Sequence, residues 1–400
     1  MREATIRVRN DDAWAAPAPG GRARVRRLTL TDFRSYERID LDFDGRPVAF
    51  AGPNGAGKTN LLEAISLIGP GRGLRQARLD ELPRIGGAGG WAVSARVVTD
   101  GDERQFGVGG AAASADGDGD RRVCRIDGRA ASGPSAFAEW LRLVWLTPAQ
   151  DRLFMEGAGE RRRFLDRMAM AQDPSLARAA SDYETALRQR QRLLDENCRD
   201  DAWLSALELE IAESGVALAA ARRATAGALA AAAIEDAAQD GGAFPAADLA
   251  LEGEIEAMLA YQPAAEVEEA FCARLKGARR IDAEAGRATI GPHKSDLLVT
   301  HRAKGRAARL CSTGEQKALL IGLVLANARA LSLKPSGAPL ILLLDEIAAH
   351  LDADRRAALF DILHDLEFQC FMTGADASLF RAWGARAEIF EIAGGSARPI

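Results

Sequence analysis

The sequence predicts an α/β fold interrupted by an inserted α-helical second lobe, and three observations carry that expectation. Val48-Ala49-Phe50-Ala51 is an apolar run that opens into the glycine-rich stretch Gly52-Pro53-Asn54-Gly55-Ala56-Gly57-Lys58-Thr59-Asn60. Leu340-Ile341-Leu342-Leu343-Leu344 is an uninterrupted apolar run closed by Asp345-Glu346, as in a buried parallel strand with acids at its carboxyl end. Between them, from about residue 155 to 285, Ala, Leu, Glu and Arg recur at helical spacing with few β-branched residues. The α/β part therefore starts, is interrupted and resumes. The expected divisions are a disordered leader (1–22), an N-terminal α/β part (23–150), a helical lobe (151–288) and a C-terminal α/β part (289–400).

Bulk properties exclude several classes. The chain has 400 residues, 48% of them hydrophobic, enough for two or three domains with filled cores. No apolar run approaches the roughly 18–20 residues of a membrane span, so an embedded subunit is excluded and no membrane partner is expected. Arg2, Arg7 and Arg9 precede no apolar stretch, which is not the pattern of a secretory signal. A cytoplasmic location is expected. The five cysteines contain no C-x-x-C pair and read as reduced, small apolar residues. With a net charge of −5, any contact with nucleic acid must come from a local basic face.

In chain order, Pro17, Pro19, Gly20 and Gly21 close a polar leader. Leu28 and Leu30, then Ile39, Leu41 and Phe43, alternate with polar residues and predict two half-buried strands around a turn at 32–36. Residues 58–68 predict a short helix stopped by Gly69-Pro70-Gly71. Strands are expected at 91–98, 123–126 and 143–146, with a flexible acidic hairpin tip at 111–120. After Pro148 the helical lobe begins. Strand character returns at 296–300, a long helix is expected at 315–331, and further strands at 340–344 and 368–372.

The chemistry lies at the ends of these elements. Gly52, Gly57, Lys58 and Thr59 fill the G-x-x-x-x-G-K-[ST] pattern of a phosphate-binding loop, the Walker A motif. Glycines let backbone N–H groups curl around phosphates, and the helix that follows adds its positive end. Lys58 would reach the β- and γ-phosphates of ATP and Thr59 would hold Mg²⁺. Asp345 and Glu346 fit a Walker B strand: Asp345 the second Mg²⁺ ligand, Glu346 the general base for an attacking water. Cys311-Ser312-Thr313-Gly314-Glu315-Gln316 opens a helix and resembles the signature of ATP-binding-cassette ATPases, so Ser312, Gly314 and Glu315 are candidate nucleotide contacts. An ordinary helix cap built from Ser312 or Thr313 with Glu315 fits the same residues. His350-Leu351-Asp352 occupy the place of a D-loop, and Gln150 after Thr147-Pro148-Ala149 that of a Q-loop. Where cassette transporters carry a switch histidine, the chain has Thr373-Gly374-Ala375-Asp376. The expected architecture is a P-loop NTPase of the ABC-ATPase head type with the helical lobe inserted.

Further stretches extend the resemblance. Leu28-Thr29-Leu30-Thr31-Asp32-Phe33-Arg34-Ser35-Tyr36, Glu160-Arg161-Arg162-Arg163-Phe164-Leu165-Asp166 and Gly291-Pro292-His293-Lys294-Ser295-Asp296 stand in order with the Walker and signature motifs. Together they resemble the RecF family of bacterial recombination mediators from about residue 25 to the end. That resemblance implies a nucleoid-associated, weak DNA-dependent ATPase that dimerises with ATP and binds single-stranded or gapped DNA. It also implies cooperation with RecO and RecR in placing RecA at gaps. In such a dimer Ser312 and Gly314 of one chain would cap the nucleotide held by Lys58 of the other. Arg161, Arg162, Arg163 and Arg167 are candidate DNA contacts, the alternative being pairing with Glu160, Asp166 and neighbouring acids. A cassette transporter subunit and the head of an SMC-like chromosome ATPase share the nucleotide motifs. The transporter is disfavoured by the missing switch histidine and the size of the insert. The SMC-type alternative needs arms of hundreds of residues, where this insert allows helices of about 50 Å.

Overall fold

The computed structural model describes residues 23–99, 102–110, 122–198, 200–239, 242–332 and 338–400. The expected leader and the tip at 111–120 lie outside them. The chain divides into two compact units, one formed by 1–150 with 331–400 and the other by 151–330.

The first unit opens with β1 (Ala23–Phe33), β2 (Tyr36–Asp42) and β3 (Val48–Ala51), followed by helix α1 (Lys58–Leu67). Then come β4 (Trp91–Thr99), β5 (Asp102–Gly110), β6 (Val123–Ile126), β7 (Arg129–Ala130) and β8 (Arg142–Leu146). The second unit contains α2 (Ala158–Gln172), α3 (Leu176–Asp195), α4 (Asp201–Gln239), β9 (Ala247–Glu252), α5 (Glu254–Met258) and α6 (Ala264–Ala285). It continues through β10 (Asp296–His301) and β11 (Arg306–Ala307) into α7 (Thr313–Ser332). The first unit resumes with β12 (Leu340–Leu344), α8 (Ala353–Asp365), β13 (Gln369–Gly374), β14 (Glu388–Ala393) and β15 (Ser396–Pro399).

Two six-stranded sheets build the first unit. One is antiparallel, in the order β2-β1-β4-β5-β6-β7; the other runs β15-β14-β3-β13-β12-β8, parallel except for β15. Strands β3, β12 and β13 are buried at every position, as parallel strands covered on both faces must be. Phe43, Phe50, Phe371 and Phe390 interlock between the sheets, with ring centroids 5.3–6.3 Å apart. Gln369, fully buried at the start of β13, crosses to the bulge in β1: its Oε1 accepts from Val25 N at 2.6 Å and its Nε2 donates to Val25 O at 3.1 Å. A side-chain amide here replaces the ladder bonds that the bulge leaves unmade.

Strand β5 has no counterpart in the sequence-based expectation, because Gly107, Gly109 and Gly110 break its alternation. The packing explains the last of these: a Cβ on Gly110 would lie 2.6 Å from the Trp91 indole nitrogen of the neighbouring strand. Glycine is kept there to make room for tryptophan.

The second unit packs its helices around Tyr183, Ile211, Val216, Phe271 and Leu275. Inside it, Arg190 donates to Glu208 at 3.0 Å, to Asp282 at 2.7 Å and to the Leu275 carbonyl at 2.6 Å. The boundary of this unit differs from the expected return to α/β at residue 289. Strand β10 pairs antiparallel with β9, Lys317 of α7 bonds Asp151 at 2.8 Å, and Arg329 lies 2.8 Å from Asp236 of α4. These partners hold 289–330 in the second unit, including the candidate signature. Sequence proximity to the Walker B strand pointed the other way.

One buried carboxyl in the first unit sets a pH dependence. Glu388 accepts from Asp44 N at 2.9 Å, and burial, with the Asp44 carboxylate beside it, pushes the Glu388 carboxyl up to about 8. A carboxyl raised above its unfolded value of about 4.3 costs nothing at low pH, and its penalty grows as pH rises towards 8. Glu388→Gln is therefore expected to gain stability over the parent chain between pH 5 and pH 9, by on the order of 1–3 kcal/mol at the upper end. Urea unfolding across that range measures it; a difference that does not change with pH contradicts the buried-carboxyl account.

Candidate nucleotide site

The phosphate loop is shaped by two contacts that exclude side chains. Gly52 follows β3 at φ 156° and Gly57 precedes α1 at φ 105°. A Cβ on Gly52 would stand 2.3 Å from the Ile392 carbonyl oxygen of β14, and one on Gly57 would stand 2.6 Å from the Tyr36 hydroxyl and 2.8 Å from Ser35 Oγ. The loop is thus clamped between strand β14 and the β1–β2 turn, while Pro53, Asn54 and Gly55 stay exposed and Ala56 half-buried. Asn60, one turn into α1, donates to Ser35 Oγ at 2.9 Å. A buried carboxylate on the same helix, Glu63, receives Arg34 at 2.7 and 2.9 Å and Arg75 at 2.8 Å.

Lys58 is 3% exposed and its Nζ donates to the loop carbonyls of Gly52 at 2.7 Å and Pro53 at 2.8 Å. Burial lowers the Lys58 ammonium below its ordinary value, and the charges of Glu346 and Asp345 oppose that shift. Strand order brings the next residues together. Because β13 lies between β3 and β12, Thr373 near its end stands between the phosphate loop and the acids. Thr59 Oγ1 donates to Asp345 Oδ1 at 3.0 Å, Thr373 Oγ1 donates to the same oxygen at 2.6 Å, and Glu346 N donates to Thr373 Oγ1 at 2.9 Å. The β8–β12 ladder is extended by Asp345 N donating to Leu146 O at 2.9 Å. Glu346 itself is left-handed, at φ 55° and ψ 17°, a conformation costly for a non-glycine residue and found where the surroundings enforce it.

These oxygens suit a hard cation. Thr59 Oγ1 and Asp345 Oδ1 converge beside a buried lysine and a loop of exposed backbone, the donor set of Mg²⁺ held with phosphates. Gln150 is buried; its Oε1 accepts from Thr147 N at 3.1 Å, and its Nε2 has no hydrogen-bond partner among the described residues. Asp352, in the expected D-loop, caps α8 by accepting from Arg355 N at 2.8 Å. His350 is exposed. Thr373, which bonds both acids, is not singled out by the sequence as a site residue, because alternation gives no sign of a threonine that ties two acids.

In the second unit, the signature residues form a reciprocal helix cap. Ser312 N donates to Glu315 Oε2 at 2.8 Å, Ser312 Oγ accepts from Glu315 N at 3.4 Å, and Lys304 pairs with Glu315. Lys304, with the Ser312 bonds, holds the Glu315 carboxyl down to about 2. Ser312, Thr313 and Gly314 remain exposed, and Leu310 beside them is 59% exposed.

The arginine-rich start of α2 and the Gly291-Pro292-His293 segment form one structure. Arg161 grips Asp296 through two bonds of 2.7 Å, and Arg162 donates to the Ser295 carbonyl at 2.5 Å. Asp166 receives the buried Arg222 at 2.6 and 2.9 Å, and Arg222 also donates to the Pro292 carbonyl at 2.6 Å. Gly291 is required because a Cβ there would lie 2.5 Å from the Tyr183 hydroxyl. His293 Nδ1 lies 2.7 Å from that hydroxyl, and Nε2 donates to the Ala288 carbonyl at 3.0 Å. Burial lowers its pKa. Of the other candidate DNA contacts, Arg163 is exposed and pairs with Glu160, and burial pushes the Arg167 guanidinium down to about 10.

The profile of the RecF/RecN/SMC N-terminal domain family matches residues 24–395. A protein of Mesorhizobium japonicum named DNA replication and repair protein RecF is 52% identical over 375 residues, which are 94% of this chain and 97% of that protein. The chain belongs to the RecF family. A RecF of Brucella suis biovar 1 is 48% identical over 376 residues, 94% of this chain and 96% of that one. The fold agrees: a structure described as the recombination mediator protein RecF with ATP in the RecFOR pathway superposes with a TM-score of 0.81 at 22% identity, covering 96% of this chain and 99% of that one. An Smc head domain of Pyrococcus furiosus shares the fold less closely, with a TM-score of 0.52 at 18% identity over 94% of this chain and 96% of that one. No described helix of this RecF-family chain is long and apolar enough to cross a membrane.

Thr373→Val tests the junction. The change is nearly isosteric and removes one donor and one acceptor, each worth about 1 kcal/mol. The variant is expected to fold and to lose about fivefold of the magnesium-dependent part of its affinity for a fluorescent ATP analogue, with affinity in EDTA unchanged. Equal magnesium dependence in both proteins contradicts the positioning role.

Proposed function

We propose that the chain is an ATP-dependent DNA-binding protein of replication and recombinational repair, a weak DNA-dependent ATPase. Its ATP-bound homodimer holds DNA at single-strand gaps or junctions and helps to load RecA with RecO and RecR, and hydrolysis resets it. The observation that carries this reading is the junction of Thr59, Asp345 and Thr373 beneath a loop bearing the buried Lys58, in a chain so similar to named RecF proteins. Lys58 would leave the loop carbonyls to meet the β- and γ-phosphates, which accept its charge better than neutral oxygens do. Mg²⁺, when bound by Thr59 and Asp345, supplies neutralisation of phosphate charge. Glu346, held by Thr373 at its backbone, would take the proton of the attacking water. Gln150, with its unpaired Nε2, would orient groups at the same site.

The signature supports an assembly of two chains. Its cap leaves the helix start exposed, and Ser312 with Gly314 would meet the γ-phosphate bound by a second copy, with Leu310 in the seam. Two identical composite sites follow from an isologous dimer.

Glu346→Gln keeps Asp345 and removes the base: it is expected to bind ATP and accumulate as the dimer in light scattering while hydrolysis falls at least 100-fold. Normal turnover in this variant removes Glu346 from the mechanism. Ser312→Arg is expected to keep ATP affinity as a monomer but fail to dimerise, as Lys58→Met fails through loss of ATP. Mixed, the two lesions fall in one site and leave the other intact, so dimerisation and hydrolysis return in part. No recovery in the mixture means that the signature does not act across two chains.

A further inference from the structure

We propose that a basic cleft in the second unit binds the phosphodiester backbone of nucleic acid; this rests on the DNA-binding reading above and names the surface that holds the strand. The cleft has a volume of about 510 Å³, and Arg162 of α2, Arg188 and Gln191 of α3, Arg287 after α6, and His293 and Lys294 are on its lining. Among the described residues, four permanent cations line it and no carboxylate does. In a chain of net charge −5 this is a local reversal of sign.

Two of the cleft's cations, Arg287 and Lys294, differ in their pairing from other exposed arginines on these helices. Arg192 and Arg280, exposed on α3 and α6, reach acids one turn away, Glu196 at 2.8 Å and Glu284 at 2.7 Å. Arg287 and Lys294 are exposed, and their side chains have no ion-pair or hydrogen-bond partner among the described residues. The sequence explains why: no acid lies between Glu284 and Asp296. Arg162, set deeper, donates to the Ser295 carbonyl but pairs with no carboxylate. Its guanidinium is held below its ordinary value by burial first and by the nearby Arg222 second, so an anion in the cleft would relieve both. His293 is held between Tyr183 and the Ala288 carbonyl, and burial lowers its pKa below the ordinary value.

The acids near the cleft are occupied. Glu184 stands 3.9 Å from Arg188, and Asp282 is buried against Arg190 and Thr289. The cations come from three separate segments of chain, and Arg188, Arg287 and Lys294 are exposed. That suits a repeating line of phosphates; a single small anion is held instead by a compact cage of fixed donors. Of the expected DNA contacts Arg161, Arg162, Arg163 and Arg167, the cleft takes in Arg162, and it adds Arg287, Lys294 and Arg188; Arg161 is held by Asp296.

The test uses the full chain with ATP and Mg²⁺, a fluorescein-labelled gapped duplex and anisotropy across a KCl series. Each phosphate contact contributes about 0.9 to the slope of log affinity against log salt. Arg287→Ala with Lys294→Ala is expected to lower that slope by about 1.8, with an unchanged thermal midpoint because neither side chain bonds anything within the fold. The double variant Arg192→Ala with Arg280→Ala, equal in charge but outside the cleft, is expected to keep the parental slope. Arg287→Lys should keep it too. The proposal is overturned if the cleft variant keeps the parental slope, or if both double variants lose it equally, which would make the effect one of net charge. It is also overturned if inorganic phosphate competes with the duplex more strongly than chloride at matched ionic strength, which marks a small-anion pocket. Failure of the parent chain to bind DNA at any salt would sink the DNA-binding reading itself, a result distinct from an unaltered slope.

Discussion

Much of the first unit is arranged so that one oxygen, Asp345 Oδ1, receives two hydroxyl groups. Thr59 comes from the helix after β3, Thr373 from β13 and the carboxylate from the end of β12, so three strands far apart in sequence must be adjacent and parallel for the bonds to exist. Parallel strands covered on both faces are buried, and these three are buried at every position, β3 and β12 being wholly apolar. The carboxyl ends of such strands are where an open α/β sheet offers a crevice to a ligand. Glu346 inherits its place from the same junction: Thr373 accepts from its backbone, and the left-handed turn that results carries the chain out of the sheet beside the phosphate loop.

The loop itself obeys a steric constraint of the same origin. Ile392 and Tyr36 approach Gly52 and Gly57 more closely than any Cβ permits. Those contacts come from β14 and the β1–β2 turn, so the antiparallel and parallel sheets both shape the loop. The phenylalanine cluster and Gln369 join the sheets and fix that spacing. Loop, acids and threonines are therefore one packed assembly.

In the second unit the organising charge is Arg222, buried between Asp166 and the Pro292 carbonyl. Together with Arg161 on Asp296 it ties the start of α2 to the 291–296 segment. Residues that look in sequence like a basic surface are thereby divided. Arg161 serves the fold, whereas Lys294 and Arg287, on acid-free stretches, are left to solvent.

The sequence by itself determined what depends on local spacing. The phosphate loop, the Walker B strand, the helical insertion and most strand positions follow from periodicity and from glycines at turns, because those signals are set within a few residues. The family was legible for the same reason, since its motifs are short and contiguous. Tertiary structure decided what depends on distant partners. Thr373 meets Asp345 and Glu346 only because strand order sets β13 between β3 and β12. Strand β5 formed although its glycines hide it, because Trp91 of β4 needs the space. Residues 289–330 joined the second unit through β9, Asp151 and Asp236. Which arginines are spent on ion pairs was likewise beyond sequence reading: a guanidinium's state depends on the nearest carboxylate in space, and Arg161 lies 135 positions from Asp296.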